Sequence, residues 1–99
     1  MKLQLQSIHF DADRKLVNFI QKKADKLDTF YDRIVDGEVM LRLEKDESKE
    51  NKILEFKLNI PGVQLFAKEK ANSFEKAADE AVESLRRQLR KRKDKVSAF

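Results

Sequence analysis

The run RRQLRKRKDK at residues 86–95 contains seven basic side chains and one acidic side chain. The whole chain carries a net charge of +4, so the other residues together carry −2 and positive charge is concentrated in this run. Localised charge of this kind creates a field that attracts polyanions. The first chemistry to consider is therefore the binding of phosphate groups, either of a nucleic acid or of an anionic membrane.

Residue types that carry catalysis are sparse in this sequence. His9 is the only histidine and has no identifiable orienting partner, so no Ser-His-Asp set is expected. Two glycines cannot form a Gly-rich phosphate loop, and no cysteine is present for a disulfide or a thiolate metal site. Asp46, Glu47 and Glu50 lack the spacing and the glycine of a calcium loop. We expect a protein that is not an enzyme and uses neither a metal nor a cofactor.

The basic run is predicted to be the end of an amphipathic helix spanning residues 72–95. Apolar positions recur at spacings of three and four from Phe74 through Leu85 and Leu89. The two leucines hold the first half of the run to the core, and we expect the last few residues to fray. Basic residues also suit a helix C-terminus electrostatically, but that preference accounts for two or three positive charges and not for seven.

A second amphipathic helix is predicted over residues 11–34, with an apolar stripe of Leu, Ile, Ala and Tyr. Asp11 or Asp13 is the expected cap of this helix, and Asn72 or Ser73 is the expected cap of the C-terminal one.

Four segments alternate between apolar and polar residues, as half-buried strands do. Gly37 is expected to end the connection before the second of them, and a polar loop is expected after the second. In the first strand the alternation changes phase, which predicts a bulge near Gln6 and Ser7. Pro61-Gly62 suits a two-residue hairpin turn that places Ile60 opposite Val63. The strands are predicted over residues 2–10, 38–45, 53–60 and 63–71.

The element order is therefore β-α-β-β-β-α, in which every strand has one apolar face and each helix has one apolar stripe. The simplest packing is an α+β fold, with a four-stranded sheet and both helices on one face of it. The last three strands should form an antiparallel meander. We expect a single domain over residues 1–99, similar in architecture to a double-stranded-RNA-binding domain.

The basic surface fits a nucleic acid better than a membrane, because almost all bulky apolar residues are committed to the core. No segment is apolar enough to span a membrane and no signal peptide is recognisable, so we expect a cytosolic protein. DNA readers usually present a recognition helix from a helical fold, whereas this chain is sheet-based, which favours RNA over DNA. The strands lack the aromatic Gly-rich signature of the RNA-recognition motif.

Residues 30–34, FYDRI, and the strand EVMLRLEK at 38–45 occur together with the basic helix end in this element order. In this combination the chain resembles the short ribosome hibernation-promoting factors, also called ribosome-associated inhibitor or sigma factor modulation proteins. The resemblance covers nearly the whole chain. It implies a bacterial cytoplasmic factor of stationary phase and stress that regulates translation.

The resemblance also implies a site and a mechanism. Members of this family bind the small ribosomal subunit at the decoding region, on 16S-type ribosomal RNA near the A and P sites, and exclude messenger and transfer RNA. For Arg33, RNA contact and pairing with a nearby acid are equally open. The expected RNA-binding residues on the two helices are Lys22, Lys23, Lys26, Arg86, Arg87, Arg90, Lys91, Lys93 and Lys95.

One feature of the family bears on what this chain is expected to do. Long members carry a C-terminal domain that dimerises ribosomes, and we expect that domain to be missing here, with the protein monomeric when it is not bound. Two alternatives remain open, a general RNA-binding module and a protein-binding regulator of a sigma factor. Four acids at the start of the last helix limit phosphate contact to its distal half: Glu75, Asp79, Glu80 and Glu83.

Overall fold

A computed structural model describes residues 1–45 and 50–97, with the backbone alone described for residues 94–97. It confirms the predicted fold class and element order. Part of the predicted polar loop, residues 46–49, lies outside the described residues. The elements in chain order are β1 (Leu3–Ile8), α1 (Arg14–Phe30), β2 (Asp36–Leu43), β3 (Lys52–Ile60), β4 (Val63–Ala71) and α2 (Phe74–Ser97).

The four strands lie in the sheet in the order β1-β2-β3-β4. β1 runs parallel to β2 because α1 connects them, whereas β2, β3 and β4 form the predicted antiparallel meander. At the Pro61-Gly62 turn Ile60 lies opposite Val63, as expected. Gly62 has a φ of 83°, a left-handed conformation that a glycine adopts at little cost in this turn position.

The predicted bulge near Gln6 and Ser7 is wrong. The pairing of β1 with β2 runs without interruption from Leu3 opposite Gly37 to Ile8 opposite Arg42. The change of phase has another cause: the strand ends at Ile8, and His9 follows it with a φ of 70°. This left-handed residue redirects the chain toward the core.

Phe10, the residue after that turn, returns to the face of the sheet that carries the helices. Its ring stacks on the ring of Phe74, with the two centroids 4.9 Å apart and the planes inclined by 9°. The start of α2 is thereby joined to the segment that leads into α1.

Gly37 is the second residue of β2 and is buried, so the connection ends at Val35 and not at Gly37. A Cβ atom on this residue would lie only 3.0 Å from side-chain atoms of both Leu3 and Phe56. The close approach of these two side chains to the backbone accounts for the glycine.

Both helices begin at one of the two caps expected for each. The Asp13 side chain accepts a hydrogen bond from the backbone N–H of Leu16 at 2.8 Å, so Asp13 and not Asp11 caps α1. The Ser73 hydroxyl accepts a hydrogen bond from the backbone N–H of Lys76 at 3.1 Å at the start of α2. Each cap satisfies a backbone donor that has no partner within its helix.

One hydrophobic core lies between the helices and the sheet, because most of the alternate residues of the strands that turn toward the helices are apolar or small, with Glu69 of β4 as an exception. α1 contributes its central stripe, and α2 contributes alanines that allow close approach to the sheet and then two leucines. The residues of the helices that are buried in the core are Ile20, Ala24, Leu27, Phe74, Ala77, Ala78, Ala81, Leu85 and Leu89. No helix in the described part of the chain is both long and apolar enough to cross a lipid bilayer.

Among the described side chains of α2, Leu89 is the last apolar one in the core, and it is fully buried. Replacing it in the variant Leu89→Ala should lower the free energy of unfolding by about 2–4 kcal/mol, because the change leaves a cavity. Urea denaturation followed by circular dichroism measures this change. Leu43→Ala, at an exposed position of β2, should cost less than about 1 kcal/mol. Equal losses in the two variants would show that Leu89 does not anchor the helix.

Candidate nucleic-acid interface

The distal half of α2 is held by two leucines, both with an exposure of 0%. Between and after them, the helical period turns the basic residues away from the core. Arg92 follows the apolar stripe instead and is half-buried. The exposed basic side chains of this half are Arg86, Arg87, Arg90, Lys91 and Lys93.

These five residues are all among those that the sequence analysis selected. Lys95 was selected as well, and it belongs to the helical backbone, but its side chain lies outside the described part of the structure.

A groove between α1 and α2 brings the basic residues of the two helices together. Lys23 and Lys26 from α1 and Arg86 from α2 all line it. The basic faces of the two helices therefore meet at this groove. Two acids of α2, Asp79 and Glu83, line the same groove, so its potential is mixed near the middle of the helices. Beyond Glu83, the charged side chains of α2 that the structure describes are all basic.

Lys23 is engaged within the protein. Its Nζ atom lies 2.8 Å from Oδ1 of Asp79 and 5.5 Å from the centroid of the Phe19 ring. The hydrogen bond that Lys23 donates to the Asp79 carboxylate raises the pKa of the Lys23 ammonium group above its usual value. Lys23 therefore joins the two helices, and it would have to leave Asp79 in order to bind a phosphate.

Lys22 and Lys26 are exposed, and neither forms an ion pair with another described residue. The nearby acids of α1, Asp25 and Asp28, are paired with the N-terminal ammonium group and not with these lysines. The ammonium group of Met1 lies 2.9 Å from Asp25 and 2.6 Å from Asp28, and its hydrogen bond lowers the pKa of the Asp25 carboxyl. This pairing reduces the negative charge that acts on Lys22 and Lys26.

Phe30, the last residue of α1, is a contact that sequence reasoning missed. The Cζ atom of Arg86 lies 5.1 Å from the centroid of its ring, and the Nζ atom of Lys93 lies 4.7 Å from it. Lys93 also donates a hydrogen bond of 2.9 Å to the backbone carbonyl oxygen of Phe30. A cation at this carbonyl interacts favourably with the negative end of the α1 dipole. One aromatic residue thus positions two members of the basic cluster.

Arg33 lies in the connection between α1 and β2 and is exposed. It makes no ion pair with any described residue, so of its two expected roles the pairing with an acid is not observed there. His9 is exposed and follows β1 instead of lying within it.

The fold and this charge distribution define a class of small α+β domains in which a pair of helices presents a basic end beside a four-stranded sheet. Within that class, the chain belongs to the Sigma 54 modulation protein / S30EA ribosomal protein family, which it matches over residues 3–97. The family that was recognised from FYDRI and the basic helix end is therefore confirmed.

Relatives of known name extend this comparison. A ribosome hibernation promoting factor of Pseudomonas putida is 26% identical over 99 residues, which are 100% of this chain and 93% of that protein. A ribosome hibernation promotion factor of Deinococcus radiodurans is 30% identical over 90 residues, which are 89% of this chain but only 47% of that protein. The chain thus corresponds to nearly the whole of one relative and to about half of the other.

A solved structure shows the same fold. The ribosomal subunit interface protein from Coxiella burnetii superimposes with a TM-score of 0.84 at 22% sequence identity. The superposition covers 95% of this chain and 99% of that chain.

The contact of Phe30 with Arg86 and Lys93 can be tested by removing the aromatic ring while keeping an apolar side chain. Phe30→Leu should lower the free energy of unfolding by about 0.5–2 kcal/mol, because two cation–π contacts are lost. Phe30→Tyr keeps a ring and should stay within about 0.5 kcal/mol of the parent protein. Urea denaturation of the three proteins measures both values. An unchanged midpoint for Phe30→Leu would contradict a positioning role for the ring.

Proposed function

We propose that this protein is a translation inhibitor that binds the small ribosomal subunit at the decoding region and excludes messenger and transfer RNA. The observation that carries the proposal is the anchored basic end of α2, with five exposed cations on a helix held by Leu85 and Leu89. Ribosomal RNA presents closely spaced phosphate groups to which such a surface can bind. Membership of a family described as ribosomal proteins, and relatives that are named ribosome hibernation promoting factors, support the same partner.

The physical basis of recognition is a rigid wedge with one charged end. Contacts with phosphate supply affinity but carry little sequence information, so specificity has to come from the shape of a folded RNA. A charged surface that keeps its geometry can match fixed phosphates without first losing conformational entropy. The burial of Leu89 and the contacts of Phe30 provide that rigidity for Arg86, Arg90 and Lys93.

The acidic start of α2 gives the docked protein an orientation. Its first three turns carry the four acids named above and one lysine, whereas the exposed side chains described over residues 85–93 are basic. Ribosomal RNA attracts the distal end and repels the proximal end. We therefore propose that the protein enters the subunit with the C-terminal ends of both helices leading, and that Lys22 and Lys26 extend the contact along α1.

Several attributes complete the proposal. Residues 1–99 act as one ribosome-binding unit in the cytoplasm of a bacterium, and inhibition requires no catalysis. Occupation of the decoding region is sufficient, because messenger and transfer RNA need the same space near the A and P sites. Ribosomes held in this state are inactive and can return to translation when the protein dissociates.

The test is co-sedimentation of the purified protein with separated small subunits, large subunits and intact ribosomes. The parent protein should bind small subunits saturably and near one to one. The charge-reversed variant Arg87→Glu, Arg90→Glu, Lys91→Glu should bind at least about tenfold more weakly, because it replaces attraction to phosphate with repulsion. These three residues contact none of the core, so the variant should fold.

A matched control separates the position of the charge from its amount. The variant Lys2→Glu, Lys45→Glu, Lys76→Glu changes the net charge equally, at exposed residues away from the distal end of α2. It should retain binding within about threefold. Equal, non-saturating binding to all ribosomal fractions would leave only a general RNA binder. Undiminished binding by the variant at positions 87, 90 and 91 would instead favour a protein partner.

Salt gives an independent measure of the same interface. If the basic end contacts about five phosphates, the logarithm of the affinity for small subunits should fall against the logarithm of salt concentration with a slope of roughly −4 to −5. The charge-reversed variant should show a smaller slope. A slope near zero would mean that contacts with phosphate do not supply the affinity.

A further inference from the structure

The face of the sheet that is turned away from the helices is open to solvent. Alternate residues of all four strands point to it, and the register aligns them in rows across the sheet. One row runs from Gln4 through Glu38 and Lys57 to Phe66. A shallow concavity of about 780 Å³ lies over this face and is lined partly by Gln4, Met40 and Lys57. The open face therefore combines amides, an aromatic ring and lysines with two acids, Glu38 and Glu55.

Phe66 is the unexpected residue of this face, because 45% of its surface is exposed. It lies on β4, the edge strand, and is paired with Lys57 of β3. Its backbone is fixed from two sides: β3 pairs with it, and the side-chain amide of Gln88 donates a hydrogen bond of 3.0 Å to its carbonyl oxygen. A fixed strand thus presents the Phe66 ring to solvent, and the ring is not part of the hydrophobic core.

The charges near Phe66 are unequally balanced. On the same face Glu55 lies 3.7 Å from Arg42, and at the end of the sheet Glu44 lies 3.0 Å from Lys70. Lys57, opposite Phe66, and Lys68, two residues after it, are both exposed and have no ion pair with any described residue. In the register of the sheet Glu38 lies opposite Lys57 and Glu55 lies opposite Lys68, but neither acid is within ion-pair distance of these two lysines, which flank the exposed ring.

We propose that this face is a second RNA-binding surface, on which an unpaired base stacks on Phe66 while Lys57 and Lys68 bind the adjoining phosphates. An exposed aromatic ring between lysines matches how single strands are held, since every base has a face that can stack and every linkage carries a negative charge. Duplex RNA cannot use the ring, because its bases are already stacked. The expected partner is therefore a single-stranded segment of RNA.

This surface lies on the side of the molecule opposite the helix groove, so both could be occupied at once. Bound through its helices to a folded RNA, the protein would still present Phe66 to a neighbouring unpaired strand. The proposal does not depend on the ribosome as partner, because the sheet should bind a short oligonucleotide by itself.

The chain contains no tryptophan, so a single substitution creates a selective probe of stacking. In Phe66→Trp, addition of the single-stranded tetranucleotide of adenosine at low salt should quench the indole fluorescence saturably. Val35→Trp is a matched control, since Val35 is an exposed apolar residue, with 61% of its surface accessible, outside the sheet face. Its fluorescence should change little under the same conditions.

Two further sets of variants measure the affinity. In the Phe66→Trp protein, the additional changes Lys57→Gln and Lys68→Gln should together weaken tetranucleotide binding by about fivefold or more. With a dye-labelled tetranucleotide, Phe66→Ala should weaken binding by at least about fivefold and Phe66→Tyr by less than about twofold, since a ring remains for stacking. Circular dichroism should show an unchanged fold, because Phe66 is outside the core.

The result that would overturn the proposal is equal quenching in Phe66→Trp and Val35→Trp, or unchanged affinity in Phe66→Ala. A shift of the Phe66→Trp emission that depends on protein concentration and not on RNA would assign the face to self-association. The charge-reversed helix variant at positions 87, 90 and 91 should still show saturable quenching. Failure at the sheet and failure at the helices can thus be told apart.

Discussion

The burial of Leu85 and Leu89 is the interaction on which the rest of the structure depends. Without it, repulsion among the seven basic residues of this ten-residue segment would unwind the end of the helix. Each leucine lies fully within the core, so the five exposed cations between and beyond them keep fixed positions on a helix surface. The core therefore holds like charges close together, and the energy for this comes from apolar area removed from water. A phosphate-rich partner would relieve the remaining repulsion.

Positive charge is distributed unevenly along the pair of helices, with ion pairing at the middle of the groove and cations beside an aromatic ring at its end. Near the middle of the groove, Lys23 pairs with Asp79, so cation and anion cancel where the helices must pack. At the end, Phe30 lies beneath Arg86 and Lys93 and receives a hydrogen bond from the latter. An aromatic ring there stabilises cations without neutralising them. The charge available to a partner is therefore kept at one end of the molecule, while the middle of the groove is used for cohesion.

Periodicity was sufficient to predict the elements, because the 3.6-residue stripes and the alternating strands are visible in single segments such as 38–45 and 72–95. The Pro61-Gly62 hairpin has a local signature too. The turn at His9 was not predictable, since a left-handed histidine and a bulge produce the same change of apolar phase. The ring of Phe30 and the pairing of Lys23 with Asp79 depend on how the two helices pack, and no spacing within one helix encodes that. The exposure of Phe66 was not predicted, because the alternation of Val63, Leu65 and Ala67 defines the buried face of this strand and draws no attention to an apolar residue on the other face.

The measurement that tests the central claim most directly is cleavage of ribosomal RNA from a tethered iron chelate. The chain has no cysteine, so Glu83→Cys places a chelate at the groove between the helices without removing a cation. Asp11→Cys places it near the other end of the helix pair. If the basic end docks in the small subunit, hydroxyl radicals from position 83 should cleave RNA of the decoding region, and those from position 11 should cleave it more weakly. Cleavage confined to the large subunit, or equal from both positions, would contradict docking through the basic helix end.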